Sequence, residues 1–234
     1  SKRYRRSSRR KQKRCRGTEP SPQAKVAVTT NAEKAITWAT NECQADIISM
    51  SFGFPDEELV ISKAITKAIL DRNNAILFFA AAANFGAKEK EMFPARHAHV
   101  ISVRGTNTEG TFQDFNPPPH RDGPAVYGTL GKVVPSAGLC SHDGEVCKSG
   151  TSVATPIAAG IAAMLLGYAE FGCHKGKLQE YISRKLRTRD GMRAMFDYMS
   201  VYMGEKRFYI YPQKFLGIGE LEQWAAMTTA VSNA

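Results

Sequence analysis

Residues 148–156 read KSGTSVATP, and the apolar run that opens there continues as far as Gly172. Ser152 falls at the predicted start of a helix. The first backbone N–H groups of a helix have no intrahelical acceptor, and the macrodipole is positive there. A serine oxygen at such a point can act as a nucleophile, because an anion forming beside it is stabilised. Gly150 permits a close approach to the serine, Ala154 keeps the adjoining wall small, and Pro156 lies near the first turn, where a missing N–H costs least. Read by itself, Ser152 could equally cap the helix, as Ser and Thr often do. A nucleophilic serine also needs a base to take its proton. The chain has five histidines, His97, His99, His120, His142 and His174, and none of them precedes Ser51. Asp46 is the single aspartate before Ser51.

The residues around Ser152 must be positioned by the segments upstream. KVAV (25–28) is a short β-rich run. AEKAITWATNE (32–42) carries Ala35, Ile36 and Ala39 at helical spacing. ADIISMSFG (45–53) predicts a buried strand ending in Gly53. ELVISKAITKAILDRN (58–73) sets Val60, Ile61, Ile65, Ala68 and Ile69 on one helical face. NAILFFAAAAN (74–84) is nearly continuous apolar sequence closed by Asn84, which alone reads as a turn residue. HVISVRG (99–105) is another short strand. SVATPIAAGIAAMLLGYAEFG (152–172) is apolar almost all round, as a buried central helix would be.

Alternating helices and continuous apolar strands predict an α/β fold, a doubly wound parallel sheet covered on both faces. Ligands bind such sheets outside the carboxyl ends of the strands, so the loops after Met50 and Ala83 should face one crevice. Three stretches are expected: a basic tail and linker over 1–24, the α/β domain over 25–172, and a helical extension over 173–234 that packs on or closes it. In the last, GKLQEYISRKLRT (176–188) and DGMRAMFDYMSVYM (190–203) predict amphipathic helices, and RFYIYPQKFL (207–216) a strand or extended segment.

Several of these segments together resemble the subtilisin-like (S8) peptidase family. GTSVATPIAAG (150–160) resembles its nucleophile motif, Gly-Thr-Ser-x-Ala-x-Pro, with Ser152 on the nucleophile. FFAAAANFGA (78–87) resembles the strand and loop carrying the oxyanion-hole asparagine, which falls on Asn84. ADIISMSFG resembles the strand whose end lines the substrate cleft, so Ser51, Phe52 and Gly53 fall on the stretch that pairs with the substrate backbone. FPARHAHVISVRG (93–105) resembles the Pro-Ala loop and the strand after it. The resemblance implies a serine-type endopeptidase that cleaves polypeptide through an acyl-enzyme. Two departures stand out. The family usually has Gly before the asparagine, where this chain has Ala83, and a small residue where it has Phe52 or Phe54.

The triad of this family runs Asp, His, Ser along the chain. Neither the His-Gly-Thr-His pattern nor the Asp motif after an early strand occurs here. Asp46 falls where the family often has a structural aspartate, and His120 and His142 are the remaining loop candidates for a base. The expectation is therefore the C-terminal part of a subtilisin-like domain, its N-terminal half missing, with little or no catalysis by this chain alone. The alternative is a non-catalytic pseudoprotease scaffold with a basic arm.

That arm is SKRYRRSSRRKQKRCR (1–16), with ten Lys or Arg and no acid. Without it the chain has 22 basic and 22 acidic residues, so the net charge of +10 belongs to the tail. Such a run reads as solvated, or as an arm for nucleic acid or an acidic partner. Five cysteines at irregular spacing, Cys15, Cys43, Cys140, Cys147 and Cys173, give no disulfide framework or zinc motif. Free, mostly buried thiols and a start without signal-peptide character point to an intracellular setting. No stretch has eighteen unbroken apolar residues, so no membrane span is expected. Calcium binds many members of the family, but no acidic cluster marks a site here, and no cofactor or metal is expected.

Overall fold

The computed structural model describes residues 22–88, 90–119, 123–137 and 145–234. In chain order they form α1 (Pro22–Asn41), β1 (Ile47–Met50), α2 (Leu59–Asp71), β2 (Leu77–Ala81), β3 (Val100–Thr106), β4 (Val126–Leu130), β5 (Val134–Ala137), β6 (Glu145–Lys148), α3 (Thr151–His174), α4 (Glu180–Leu186), α5 (Arg189–Met199), β7 (Ser200–Tyr202), β8 (Arg207–Ile210), α6 (Gln213–Leu216) and α7 (Glu220–Ser232). The main sheet has the order β1-β2-β3-β4-β8-β7. Its first five strands are parallel, with Ile47 opposite Leu77 and Phe78 opposite Val100, and β7 runs antiparallel to β8. β5 and β6 form a separate antiparallel ribbon just before α3.

Strand β2 shows why the sheet is covered on both sides. Successive side chains on a strand point to opposite faces. Leu77 and Phe79 pack into one core with α3 and α5, while Phe78 and Ala80 pack into a second core with Ile36 of α1 and Ile61, Ile65 and Ile69 of α2. This is the expected doubly wound α/β arrangement. α3 lies across β1, β2, β3 and β4. By length and composition it could cross a membrane. Its buried residues, Ala154, Ala158, Ala162, Leu165 and Ala169 among them, instead fill the core.

The segment after α3 belongs to the same body. β8 pairs with β4, and Ile182, Met192, Met195, Phe196, Met199, Phe215, Trp224 and Met227 join the core beneath α3. Trp224 stacks on Tyr168 of α3 at 4.0 Å between centroids. Gly172 makes room for it, since a Cβ there would stand 2.7 Å from the indole ring.

Local expectations fail in several places, and RFYIYPQKFL is one: after β8 its last four residues, Gln213–Leu216, turn into α6. KVAV lies inside α1 and not in a strand. The buried positions Thr29, Ile36 and Thr40 recur at helical spacing, so packing of the whole segment overrides a four-residue propensity. Val60 is 47% exposed, because Ile61, Ile65, Ala68 and Ile69 define the inward face of α2 and Val60 sits one step off it. The SVYM end of the second predicted helix leaves it to form β7, drawn off by pairing with β8. Cys43 and Cys147 are exposed and Cys173 half-buried, so these thiols are not core residues.

Candidate active site

Ser152 is the second residue of α3, half-buried, and the loop before it is tied to the ends of β3 and β4. Gly150 N–H donates to the Gly131 carbonyl at 2.8 Å, and Gly131 N–H to the Thr106 carbonyl at 2.8 Å. Gly150 has φ 144, in the range that favours glycine, and its carbonyl accepts the first helical bonds from Val153 and Ala154. Gly131 was not singled out in the sequence. A Cβ there would meet the Gly105 Cα at 2.7 Å and the Gly150 carbonyl oxygen at 3.0 Å, so glycines near the end of β3, after β4 and before α3 let the serine loop sit down.

Asn84 follows β2 and reaches the same helix start. Its Oδ1 accepts a hydrogen bond from Thr151 N–H at 2.7 Å. That bond fixes which atom faces the helix, because an N–H needs an acceptor. Nδ2 makes no hydrogen bond among the described residues and stands beside Gly150, 3.1 Å from where a Cβ would be. The residue before it, Ala83, has φ 158, at the boundary of the region where glycine is preferred.

Ser51 follows β1 and also meets the helix start. Its Oγ donates to the Ser152 carbonyl at 3.0 Å, and Ser152 Oγ lies 3.5 Å from the Ser51 carbonyl oxygen. Pro156 accounts for the first contact. It lies past the first turn of α3, and the N–H it lacks is the one that would have bonded the carbonyl four residues back, on Ser152. The cost expected to be least at that position therefore falls on the serine itself, and Ser51 makes it good. Phe52 is 38% exposed beside this point and meets Phe54 edge-on at 5.9 Å. Phe54 is core, pinned by reciprocal backbone bonds to Phe93 of 2.7 and 2.9 Å, while a Cβ at Gly53 would come 2.9 Å from the Met92 Cβ. The Phe93–Pro94 peptide bond is cis.

The parallel strands thus bring Ser51, Asn84 and Ser152 to one edge of the sheet, with Phe52 and Gly53 adjoining. The described histidines lie elsewhere. His97 and His99 precede the first residue of β3, at the opposite edge. His97 accepts at Nδ1 from His99 N–H and bonds Ser62 Oγ through Nε2, both at 3.2 Å, and burial, with the neighbouring His99, lowers its pKa. His174 ends α3, about 33 Å along the helix from Ser152. His120 and His142 lie outside the described residues, as do Cys15, Cys140 and the basic run 1–16. Asp46 stands at the start of β1, paired to Arg72 at 3.1 Å and Arg187 at 2.9 Å, a bond between layers and not a partner of Ser152. Among the described residues no group of three or more His, Cys, Asp or Glu side chains converges to hold a metal.

The sequence model of the Subtilase family matches residues 23–198. A thermostable alkaline protease of Halalkalibacterium halodurans is 28% identical over 180 residues, 75% of this chain and 42% of that protein. Subtilisin-like protease 2 of Pseudogymnoascus destructans is 31% identical over 127 residues, 52% of this chain and 28% of that protein. The chain spans less than half the length of these relatives. Among solved structures, the protease domain of PatA superposes with a TM-score of 0.60 at 21% identity, covering 88% of this chain and 66% of that one. The PatG macrocyclase in complex with peptide gives 0.58 at 22%, covering 90% and 58%. At such identities these two likenesses speak for the fold alone.

Proposed function

The chain belongs to the subtilase family, and from that premise we propose that it supplies the nucleophile and oxyanion-binding part of a serine endopeptidase acting on polypeptide, without a competent base of its own. The observation that carries the proposal is the convergence of Ser152, Ser51 and Asn84 at the carboxyl ends of the strands, with none of the described histidines beside them. Ser152 is the proposed nucleophile. Asn84 Nδ2 is the proposed side-chain donor to the oxyanion, with the backbone N–H groups at the start of α3 beside it. In subtilisin itself the loss of one such donor costs roughly 10²–10³ in turnover. The backbone after β1, from Ser51 to Gly53, is the proposed rail for the substrate chain.

Attack on a peptide carbonyl transfers the hydroxyl proton of Ser152 to a base as the C–O bond forms, and returns it to the leaving amine. Asn84 and Ser51 offer no group that takes a proton near neutral pH. On this reading the chain by itself binds and orients but does not turn over. Incubation of the purified chain with a mixed peptide library tests this, with Ser152→Ala as control. The two proteins are expected to leave the same peptides intact. Cleavage that disappears in Ser152→Ala would overturn the proposed lack of a base.

A further inference from the structure

A cavity of about 640 Å³ opens at the other end of the sheet from Ser152, where the segments leading into β3 and β4 meet the start of α5. Its walls combine two kinds of chemistry. Pro118, Pro119 and Pro124 with neighbouring alanines make a stiff apolar surface, and Lys90, Arg96, Arg104, Arg189 and Arg193 bring positive charge. Glu91 is the one carboxylate among the described lining residues. It is already engaged, by Arg104 Nη1 at 3.3 Å and by the Ser102 hydroxyl.

Among the described residues the cations outnumber their carboxylate partners, Glu91 facing Arg104 and Asp190 facing Arg189. Arg104 is 1% exposed, and its Nε reaches the Pro117 carbonyl at 3.4 Å. Arg96 Nη1 donates to the carbonyls of Pro55 and Glu91 at 2.7 and 3.3 Å. Arg193 lies over the Tyr127 ring and directs Nε at its hydroxyl, 3.4 Å away, while that hydroxyl donates to Asp197 at 2.6 Å. Arg189 pairs with the exposed Asp190 at 2.9 Å, yet its Nε is buried with no hydrogen-bond partner. Burial lowers the pKa of both Arg104 and Arg189, the direction expected where a cation is poorly compensated. A guanidinium with a buried, unpartnered Nε, as in Arg189, or one that meets a neutral hydroxyl and ring, as in Arg193, retains capacity for a carboxylate, sulfonate or phosphate. The volume suits a small molecule.

We propose that this cavity binds a small organic anion, its oxyanion head held by Arg189 and Arg193 and its apolar body laid against the prolines. The site is separate from the Ser152 site and does not depend on peptidase activity.

Calorimetric titration of the full chain with 2-naphthalenesulfonate, the uncharged 2-naphthalenemethanol and inorganic phosphate tests the assignment. The sulfonate should bind about tenfold or more tightly than either of the others, as expected for losing a charge-assisted hydrogen bond or the apolar contact. Arg193→Gln and Arg189→Gln should each weaken it at least severalfold with an unchanged Tm, and Ser152→Ala should leave it alone. Should either arginine variant unfold, a rise in the parent's Tm with the sulfonate that the neutral analogue does not produce gives the same reading. Absence of sulfonate binding at millimolar concentration, equal binding of the neutral analogue or of phosphate, or indifference to the arginine substitutions would overturn the proposal.

Discussion

Ser51 Oγ donates to the carbonyl of Ser152 at 3.0 Å, a carbonyl left without its helical partner by Pro156 four residues on. The residue after β1 and the start of α3 are thereby joined across 101 positions of sequence. Ser51→Ala should cost about 0.5–1.5 kcal/mol of stability in urea unfolding. In a Pro156→Ala background, where a new N–H can take the Ser152 carbonyl, the same substitution should cost clearly less. Equal costs in the two backgrounds would show that the two residues do not share that acceptor.

The Asn84 side chain is an acceptor to the helix start as well as a proposed donor to substrate. Asn84→Leu, close in size, should lower stability by about 1 kcal/mol, the usual scale for loss of a helix cap. Asn84→Asp keeps the acceptor and sets a negative charge near the N-terminus of α3, so it should retain stability. Chemical denaturation of the three proteins decides. A leucine variant as stable as the parent would remove the anchoring role.

Gly150 and Gly172 are both places where a methyl has nowhere to go. At Gly150 the backbone is in a glycine region and a Cβ would stand 3.1 Å from the Asn84 amide. Gly150→Ala should cost about 1–3 kcal/mol. At Gly172 the obstacle is the Trp224 ring, and Gly172→Ala should cost a similar amount, about 1–3 kcal/mol of overpacking. The Gly172→Ala penalty should shrink when Trp224→Leu is added, because the two side chains contest one space. Additive effects would contradict that account.

The convergence of the loops after β1 and β2 on the start of α3 was largely legible in the sequence, and for a physical reason. Parallel strands covered on both faces read as continuous apolar runs, as in 45–50 and 74–83, and the residue following each run marks the crevice. Gly150, Ser152 and Pro156 stand in a close local pattern. What the sequence hid depends on distance. Nothing near Ser51 says that its hydroxyl will meet a carbonyl freed by Pro156. Gly131 looks like any loop glycine until β3, β4 and the start of α3 are brought together. KVAV has strand-forming side chains, yet the burial period of α1 is set by Thr29, Ile36 and Thr40. The C-terminal strand β8 is short, and its place beside β4 follows from the core that α5 and α7 build under α3.

His97 gives the fold a dependence on acid. Its Nδ1 accepts the His99 N–H, so the neutral ring is the one that fits, and burial depresses its pKa below 6.5. The unfolded chain then binds the proton more readily. Its contribution to stability is complete above pH 6.5 and is lost as the pH falls through the depressed value. The slope it adds should be less than about 1.4 kcal/mol per pH unit, since the ring is only half-buried. Unfolding free energies measured from about pH 7 to pH 5 should fall less steeply in His97→Gln. Parallel slopes would contradict the assignment.

The most direct test of the central claim, a nucleophile frame at Ser152 without its base, is labelling of the purified chain by a fluorophosphonate, followed by intact mass and peptide mapping. The account predicts that labelling stays at the level of Ser152→Ala over hours. Rapid, stoichiometric modification mapped to Ser152 and abolished in Ser152→Ala would contradict it.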